Sequence, residues 1–298
     1  MLDDLVIGAR VADRYEVVGR LGDGGMARLY EALDLRARSR RVVLKLPLLE
    51  HPELFDRLER EAAILAPLRS AHVVRALDFV RTDDGVPCLV LAYVPGGDLA
   101  ARLDRGEHPS SRRTLRILRA VASALDHLHA HGIVHRDVKP ANVVGYDGRA
   151  VLVDFGLATS CREELRAERT RILGTPMYMA PEQALGLGEH VGPASDRYGL
   201  ASLAFELVTG ARPYPNGRPG PILRAIAERG PRRPSDVGCR SIALDAVFAR
   251  AFARDPDRRH ESATAFVEAL RLALTERGSL SLPRPSIGSL PTVVLRAA

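Results

Sequence analysis

The sequence predicts an α+β protein of two unequal lobes, a small β-rich N-terminal part with one helix and a larger, mainly helical C-terminal part. Three observations point there. The N-terminal third alternates short apolar segments with Gly-rich or charged turns. Helical periodicity takes over after Asp98. Between the two, Pro95-Gly96-Gly97 interrupts both patterns. Such an arrangement predicts a cleft between the lobes, where ligand sites tend to lie.

Residues 15–21, 27–34 and 41–47 read as strands. Residues 52–68 carry Leu54, Leu58, Ala62 and Leu65 between charges, the spacing of an amphipathic helix. Two further strands are predicted near residues 73–80 and 87–93. Beyond the break, residues 115–129 are strongly periodic and stop before Gly132. Residues 195–209, 220–229, 242–254 and 262–277 are the other predicted helices. The last twenty residues are rich in Ser, Pro and Gly and read as a flexible tail.

Composition narrows the function. Trp is absent and aromatics are 5% of the 298 residues, which disfavours a protein that stacks nucleic-acid bases on aromatic platforms. The net charge of +6 is spread among acidic residues with no basic run, so nucleic acid is not expected as a partner. Three separated cysteines, Cys88, Cys161 and Cys239, form no disulfide pattern and fit a reducing cytoplasm. The acidic start carries no signal-peptide pattern, and no apolar stretch approaches a membrane span. A soluble, cytoplasmic chain is the expectation.

Of 43 basic residues only two are lysines, Lys45 and Lys139. A bias this strong toward Arg marks those two positions as needing a compact point charge rather than a planar fork. Lys45 ends Val42-Val43-Leu44-Lys45 on a predicted strand, and Glu61 follows sixteen residues later on the amphipathic helix. Upstream, Leu21-Gly22-Asp23-Gly24-Gly25-Met26-Ala27 is a turn between strands whose glycines let backbone N–H groups approach a phosphate. No helix follows it, so the dinucleotide-binding reading fails. Lys139 lies in His135-Arg136-Asp137-Val138-Lys139-Pro140-Ala141-Asn142. There Asp137 can accept a proton, Lys139 can neutralise a phosphate and Asn142 can offer an amide oxygen to a metal. Asp154-Phe155-Gly156 supplies a second oxygen, a set suited to Mg²⁺ shared with phosphate oxygens.

These motifs, with Gly174-Thr175-Pro176-Met177-Tyr178-Met179-Ala180-Pro181-Glu182, Ser195-Asp196-Arg197-Tyr198 and Asp255-Pro256-Asp257-Arg258-Arg259, follow one order. From about Arg14 to about Leu274 the chain resembles the bacterial eukaryotic-like (Hanks-type) serine/threonine protein kinases. The resemblance implies a bilobal kinase fold with an N-lobe over residues 1–94, a C-lobe over 95–277 with an activation segment at 154–182, and a tail at 278–298. It implies ATP as phosphate donor, with Mg²⁺ or substituting Mn²⁺. The loop with Leu21, Gly22, Gly24 and Gly25 would cover the ATP phosphates, and Lys45, positioned by Glu61, would hold the α- and β-phosphates. Leu29 and Val43 belong to the implied ATP site, Leu91 would guard the back pocket, Ala92 to Val94 would meet adenine and Asp98 the ribose. Asn142 and Asp154 would hold the metal while Asp137 deprotonates the acceptor hydroxyl. Lys139 and Thr175 mark a serine/threonine rather than a tyrosine specificity. Glu182 and Arg259 would pair, and Asp196 opens a structural helix. Arg136 before Asp137 implies control by activation-loop phosphorylation, with Thr170 the leading phosphosite, and trans-autophosphorylation implies self-association.

The chain departs from the family pattern at Ala27, Val43 and His260, none of which removes a catalytic group. A nucleotide-binding pseudokinase scaffold is the alternative, but Lys45, Asp137 and Asp154 are all present. A small-molecule phosphotransferase would not be expected to carry the 174–182 segment. His127, His129 and His131 invite a zinc reading. Neighbours two apart do not share a helix face and no further ligands are placed beside them, so solvent-facing histidines at a helix end are expected.

Overall fold

The computed structural model describes residues 5–23, 27–145, 149–160, 176–214 and 217–275. Its smaller lobe is one antiparallel sheet. Strands β1 (Arg10–Val11), β2 (Tyr15–Asp23), β3 (Ala27–Asp34), β4 (Arg40–Pro47), β5 (Ala76–Arg81) and β6 (Pro87–Ala92) pair in the order β1-β2-β3-β4-β6-β5. Leu29 faces Lys45, Glu31 faces Val43, and Val43 in turn faces Leu91 across the sheet. Because side chains alternate along a strand, Leu29, Glu31, Val43, Lys45, Leu89 and Leu91 share one face. The other face carries Tyr30, Ala32, Val42, Leu44, Leu46, Cys88 and Val90, which pack with Val11, Tyr15 and Val17 into a separate core.

Helix α1 (Pro52–Leu65) covers the first face. Pro52 occupies its opening turn, where no N–H is needed, and Leu58 and Leu65 share a cluster with Leu89 and Leu91. The helix ends at Leu65, three residues short of the predicted end. The strand expected from residue 73 begins at Ala76, because Val73 and Val74 instead dock on Leu152, with Val74 N–H donating to its carbonyl at 3.0 Å.

The larger lobe holds α2 (Leu99–Asp104), α3 (Ser111–Ala130), α4 (Pro181–Ala184), α5 (Pro193–Thr209), α6 (Pro219–Glu228), α7 (Ile242–Ala251) and α8 (Ala263–Thr275). Helix α5 is buried on nearly every side, as expected of a central helix without a polar face. It runs into a left-handed Gly210 at φ 71°. Around it Phe205, Phe248, Phe252 and Phe266 form an aromatic cluster with ring centroids 5.4–6.2 Å apart. Asp126 of α3 accepts from Ala263 N–H at 2.8 Å and Thr264 N–H at 2.9 Å, so one helix caps the start of another. Two small ribbons, β7 (Ile133–Val134) with β10 (Thr159–Ser160) and β8 (Val143–Val144) with β9 (Val151–Leu152), lie between α3 and α4 in sequence. No helix among the described residues is long and apolar enough to cross a membrane.

Candidate active site

The first half of the site is built where α1 meets β4. Lys45 projects from the covered face of the sheet, and Glu61 lies on the inner side of the helix, 7% and 2% exposed respectively. Lys45 Nζ donates to both Glu61 oxygens at 2.7 Å and to Asp154 Oδ1 at 2.8 Å. Phe155 N–H donates to Glu61 Oε1 at 3.1 Å. Burial alone would lower the Lys45 pKa, but the Glu61 and Asp154 carboxylates outweigh it and hold the ammonium above its ordinary value. The Lys45 charge pushes the Asp154 carboxyl down to about 2, although 44% of that side chain stays exposed. Burial pushes the Glu61 carboxyl up, which alone would argue for a neutral acid. Two oxygens on one ammonium decide for the ion pair.

The second half is the turn after α3. His131 closes the helix, Gly132 leaves it at φ 71°, and β7 leads into His135. Asp196, in the first turn of α5, accepts His135 N–H at 2.8 Å through Oδ2 and Arg136 N–H at 2.7 Å through Oδ1. Arg136 has φ 69° and Asp154 φ 63°, a left-handed backbone that costs a non-glycine residue free energy. The Asp196 bonds hold the Arg136 distortion in place. His129 Nε2 lies 2.8 Å from Asp196 Oδ2. Its side chain is 11% exposed, so this histidine of the expected solvent-facing run is instead enclosed and partnered. Sequence spacing could not reveal this, because Asp196 is 67 residues away.

Asp137 follows directly. Lys139 Nζ donates to its Oδ2 at 2.6 Å. The Asn142 amide nitrogen donates to Asp137 O at 2.8 Å and to Oδ2 at 3.0 Å, which turns the amide oxygen away from the aspartate. Val153 N–H donates to Asn142 O at 3.0 Å, so the β8–β9 ribbon sets Asn142 next to the segment that leads from β9 to Asp154. Among the described residues no group of three or more His, Cys, Asp or Glu side chains could hold a metal. Asn142 and Asp154 offer two oxygens, a partial set that suits a hard cation completed by phosphate and water oxygens.

Leu29 and Val43 stand on the same sheet face as Lys45, and buried Leu91 lies opposite Val43. Ala92 ends β6 and Val94 lies two residues beyond it, both half-buried. Leu21 is 48% exposed near the end of β2, and Gly22, at φ 140°, adopts a backbone that suits glycine. Gly24 and Gly25 lie outside the described residues, as do Thr170 and Thr175. Asp98 is the N-cap of α2, its Oδ1 accepting Ala101 N–H at 2.8 Å. Val144, an apolar residue two after Asn142, bridges to Asp98 and faces Val151, a placement that its side chain alone does not signal.

Below the turn that carries Asp137, Arg259 donates to Glu182 Oε1 at 2.7 Å and Oε2 at 2.8 Å, the two side chains 0% and 4% exposed. The same guanidinium reaches the carbonyls of Ala253 at 2.9 Å and Ala194 at 2.9 Å. Ser195 Oγ donates to Glu182 at 2.7 Å. Gln183 Nε2 donates to Arg136 O at 2.8 Å, tying α4 to the turn that carries Asp137. A Cβ at Gly199 would sit 3.0 Å from Val138 Cβ, so α5 approaches this turn closely.

Comparison with known proteins agrees with this geometry. The protein kinase domain family matches residues 15–261. Serine/threonine-protein kinase PknE of Mycobacterium bovis is 36% identical over 287 residues, covering 93% of this chain and 50% of its own length. Serine/threonine-protein kinase Pkn1 of Myxococcus xanthus is 35% identical, covering 96% of this chain and 42% of its own length. PknB of Mycolicibacterium smegmatis is 34% identical, covering 85% and 42%. The chain thus spans about half or less of the length of these relatives. Such kinases use ATP and a divalent metal. With its sheet lobe, its helical lobe and a lysine, glutamate and aspartate joined between them, this chain belongs to the protein kinase domain family.

Proposed function

We propose that this protein transfers the γ-phosphate of ATP to serine and threonine hydroxyls of protein substrates. The observation that carries this reading is the contact of Lys45 with both Glu61 and Asp154, which joins three separate elements through one ammonium at 2.7 and 2.8 Å. In this reading Lys45 holds the α- and β-phosphates, and Glu61 keeps its ammonium charged and aimed. Leu21, Leu29, Val43 and Leu91 enclose the base, the backbone of Ala92 and Val94 meets its edge, and Asp98 meets the ribose. Gly22, Gly24 and Gly25 cover the phosphates.

Asp137 accepts the proton of the acceptor hydroxyl as its oxygen bonds to the γ-phosphorus, and the bond from that phosphorus to ADP breaks. Lys139, 2.6 Å from Asp137, offsets negative charge on the transferring group. Asn142 and Asp154 would hold Mg²⁺, or Mn²⁺ in its place, and the metal when bound neutralises phosphate charge. Thr175 belongs to the substrate-facing loop, Thr170 is the site of activating autophosphorylation, and self-association brings that site to a second copy. Glu182, Arg259 and Asp196 hold the platform beneath. The ATP requirement and the free, buried thiols of Cys88 and Cys239 support a cytoplasmic setting.

The test is incubation with γ-labelled ATP and Mg²⁺, comparing wild type with Asp137→Ala and Lys45→Arg. Label on Ser and Thr in wild type that nearly vanishes in both variants is expected. ATP binding without transfer in wild type would overturn the reading in favour of a scaffold.

A further inference from the structure

The segment that follows β6 is gripped by a side chain that neither the catalytic set nor the nucleotide set includes. Arg41 lies on β4 two residues before Val43, on the sheet face that also carries Lys45. Its guanidinium carbon stands 3.9 Å from the centroid of the Tyr93 ring, close enough for a cation–π contact. Arg41 Nε also donates to Glu31 at 2.5 Å, and Glu31 pairs with Val43 across the sheet. Glu31 is 18% exposed and Arg41 50%, so the carboxylate is the firmer anchor and the guanidinium reaches outward from it. Tyr93 stands between Ala92 and Val94, the two residues whose backbone is assigned to the adenine edge. Further along, Arg102 of α2 donates through Nε to Gly96 O at 3.0 Å, so a second arginine holds this segment from the larger lobe.

We propose that Arg41 is a positioning residue for nucleotide binding: oriented by Glu31 and stacked on Tyr93, it fixes the backbone of Ala92 and Val94 relative to the sheet that roofs the adenine. The inference rests on the kinase reading and adds two residues, Arg41 and Glu31, to those that set its ATP affinity. The chemistry of arginine suits this position. A planar guanidinium can bond a carboxylate edge-on while presenting its face to a ring, whereas an ammonium presents only a point charge. Because the contact acts on the base and not on the γ-phosphate, it contributes equally to ground-state and transition-state complexes.

That equality shapes the test. Isothermal titration with ATP and steady-state kinetics are run on the full chain as wild type, Arg41→Ala, Tyr93→Leu, the double variant and Tyr93→Phe. An exposed cation–π contact corresponds to a change of about two- to fivefold in an equilibrium constant. Arg41→Ala is therefore expected to raise the ATP Kd and KM measurably, by at most about fivefold since the contact exists without ligand, while kcat stays within about twofold. The double variant should bind no more weakly than the poorer single variant, since each change removes the same contact. Tyr93→Phe, which keeps the ring and loses only the hydroxyl, should weaken ATP binding less than Tyr93→Leu does. If Arg41→Ala binds ATP as wild type does, or if the two single effects simply add, the clamp is wrong while the kinase reading stands. Wild-type protein that binds no ATP overturns both.

Discussion

Two buried ion pairs of similar geometry sit in the two lobes and do different work. Lys45–Glu61 and Arg259–Glu182 each join a cation to both oxygens of a carboxylate at 2.7–2.8 Å. The Arg259 pair is sealed: its guanidinium also reaches the carbonyls of Ala253 and Ala194, and Ser195 bonds the same carboxylate. The Lys45 pair opens on one side to Asp154, which is 44% exposed. A planar fork with every donor used makes a permanent fastener. A point charge shared between two carboxylates, one of them facing the cleft, can exchange a protein partner for a phosphate. Burial of the cation is thus common to both, and the exposure of a partner carboxylate separates them: Asp154 is 44% exposed, whereas Glu182 is 4% exposed.

The sharpest way to break this comparison is at the chemistry. Asp137→Asn should lower kcat by about 10²–10⁴-fold in steady-state assays, because a general base is lost. Its unfolding midpoint should stay close to wild type, as the amide preserves the shape. A drop in stability without loss of turnover would put Asp137 with the structural pair.

Next in size is the sealed pair itself. Arg259→Met should cost about 3–5 kcal/mol in denaturant unfolding, since Glu182 is left charged and buried. Joining Glu182→Leu to it should restore much of that loss, because the unpaired charge is removed. Lys45→Met should abolish transfer yet cost only about 1–3 kcal/mol, the range for one buried polar group that loses its partner. The smaller cost is expected because Phe155 N–H still donates to Glu61 and Asp154, the other carboxylate left unpaired, is 44% exposed to water. Equal stability losses at Lys45 and Arg259 would erase the distinction.

Acid titration tests the same contrast on carboxylates. Asp196 is held below its ordinary range: burial opposes ionisation, but His129 and the His135 and Arg136 N–H groups outweigh it. A depressed folded pKa contributes stability that is present above the unfolded value of about 3.9 and is lost as pH falls through the folded value. Asp154, pushed down to about 2, follows the same sign, though water screens its exposed side. Asp196→Asn should therefore flatten the stability–pH slope below about pH 4 more than Asp154→Asn does. The reverse order would show that exposure does not decide between them.

The smallest effect belongs to a position outside both pairs. Ser241 Oγ accepts Leu244 N–H at 3.3 Å at the start of α7. Ser241→Ala should cost about 1 kcal/mol in stability and leave kcat and ATP affinity unchanged.

Much of this could be read from the chain before folding. Strands β2, β3 and β4 and helices α3, α5 and α7 follow from period-2 and period-3.6 patterns, with errors of a few residues at their ends. The scarcity of lysine pointed to Lys45 and Lys139. The strands β7 to β10 were missed because each spans only two residues, too short for a period to register. His129 was misread because its run of alternating histidines carries no sign of Asp196. The Arg41–Tyr93 contact was invisible for the same reason, since each residue alone looks like an ordinary exposed side chain.

What the sequence determines by itself is the list of parts and their local geometry. Hydrophobic period, glycine placement and the identity of charged groups are properties of neighbouring residues, and they suffice to single out Lys45, Asp137, Asn142 and Asp154 as candidates. Only the tertiary structure decides which distant groups share a charge. Lys45 meets Asp154 across 109 residues and Arg259 meets Glu182 across 77. Those meetings set whether a buried ion pair borders an exposed carboxylate or is sealed from water, because electrostatic energy depends on separation in space and on exclusion of water rather than on position along the chain.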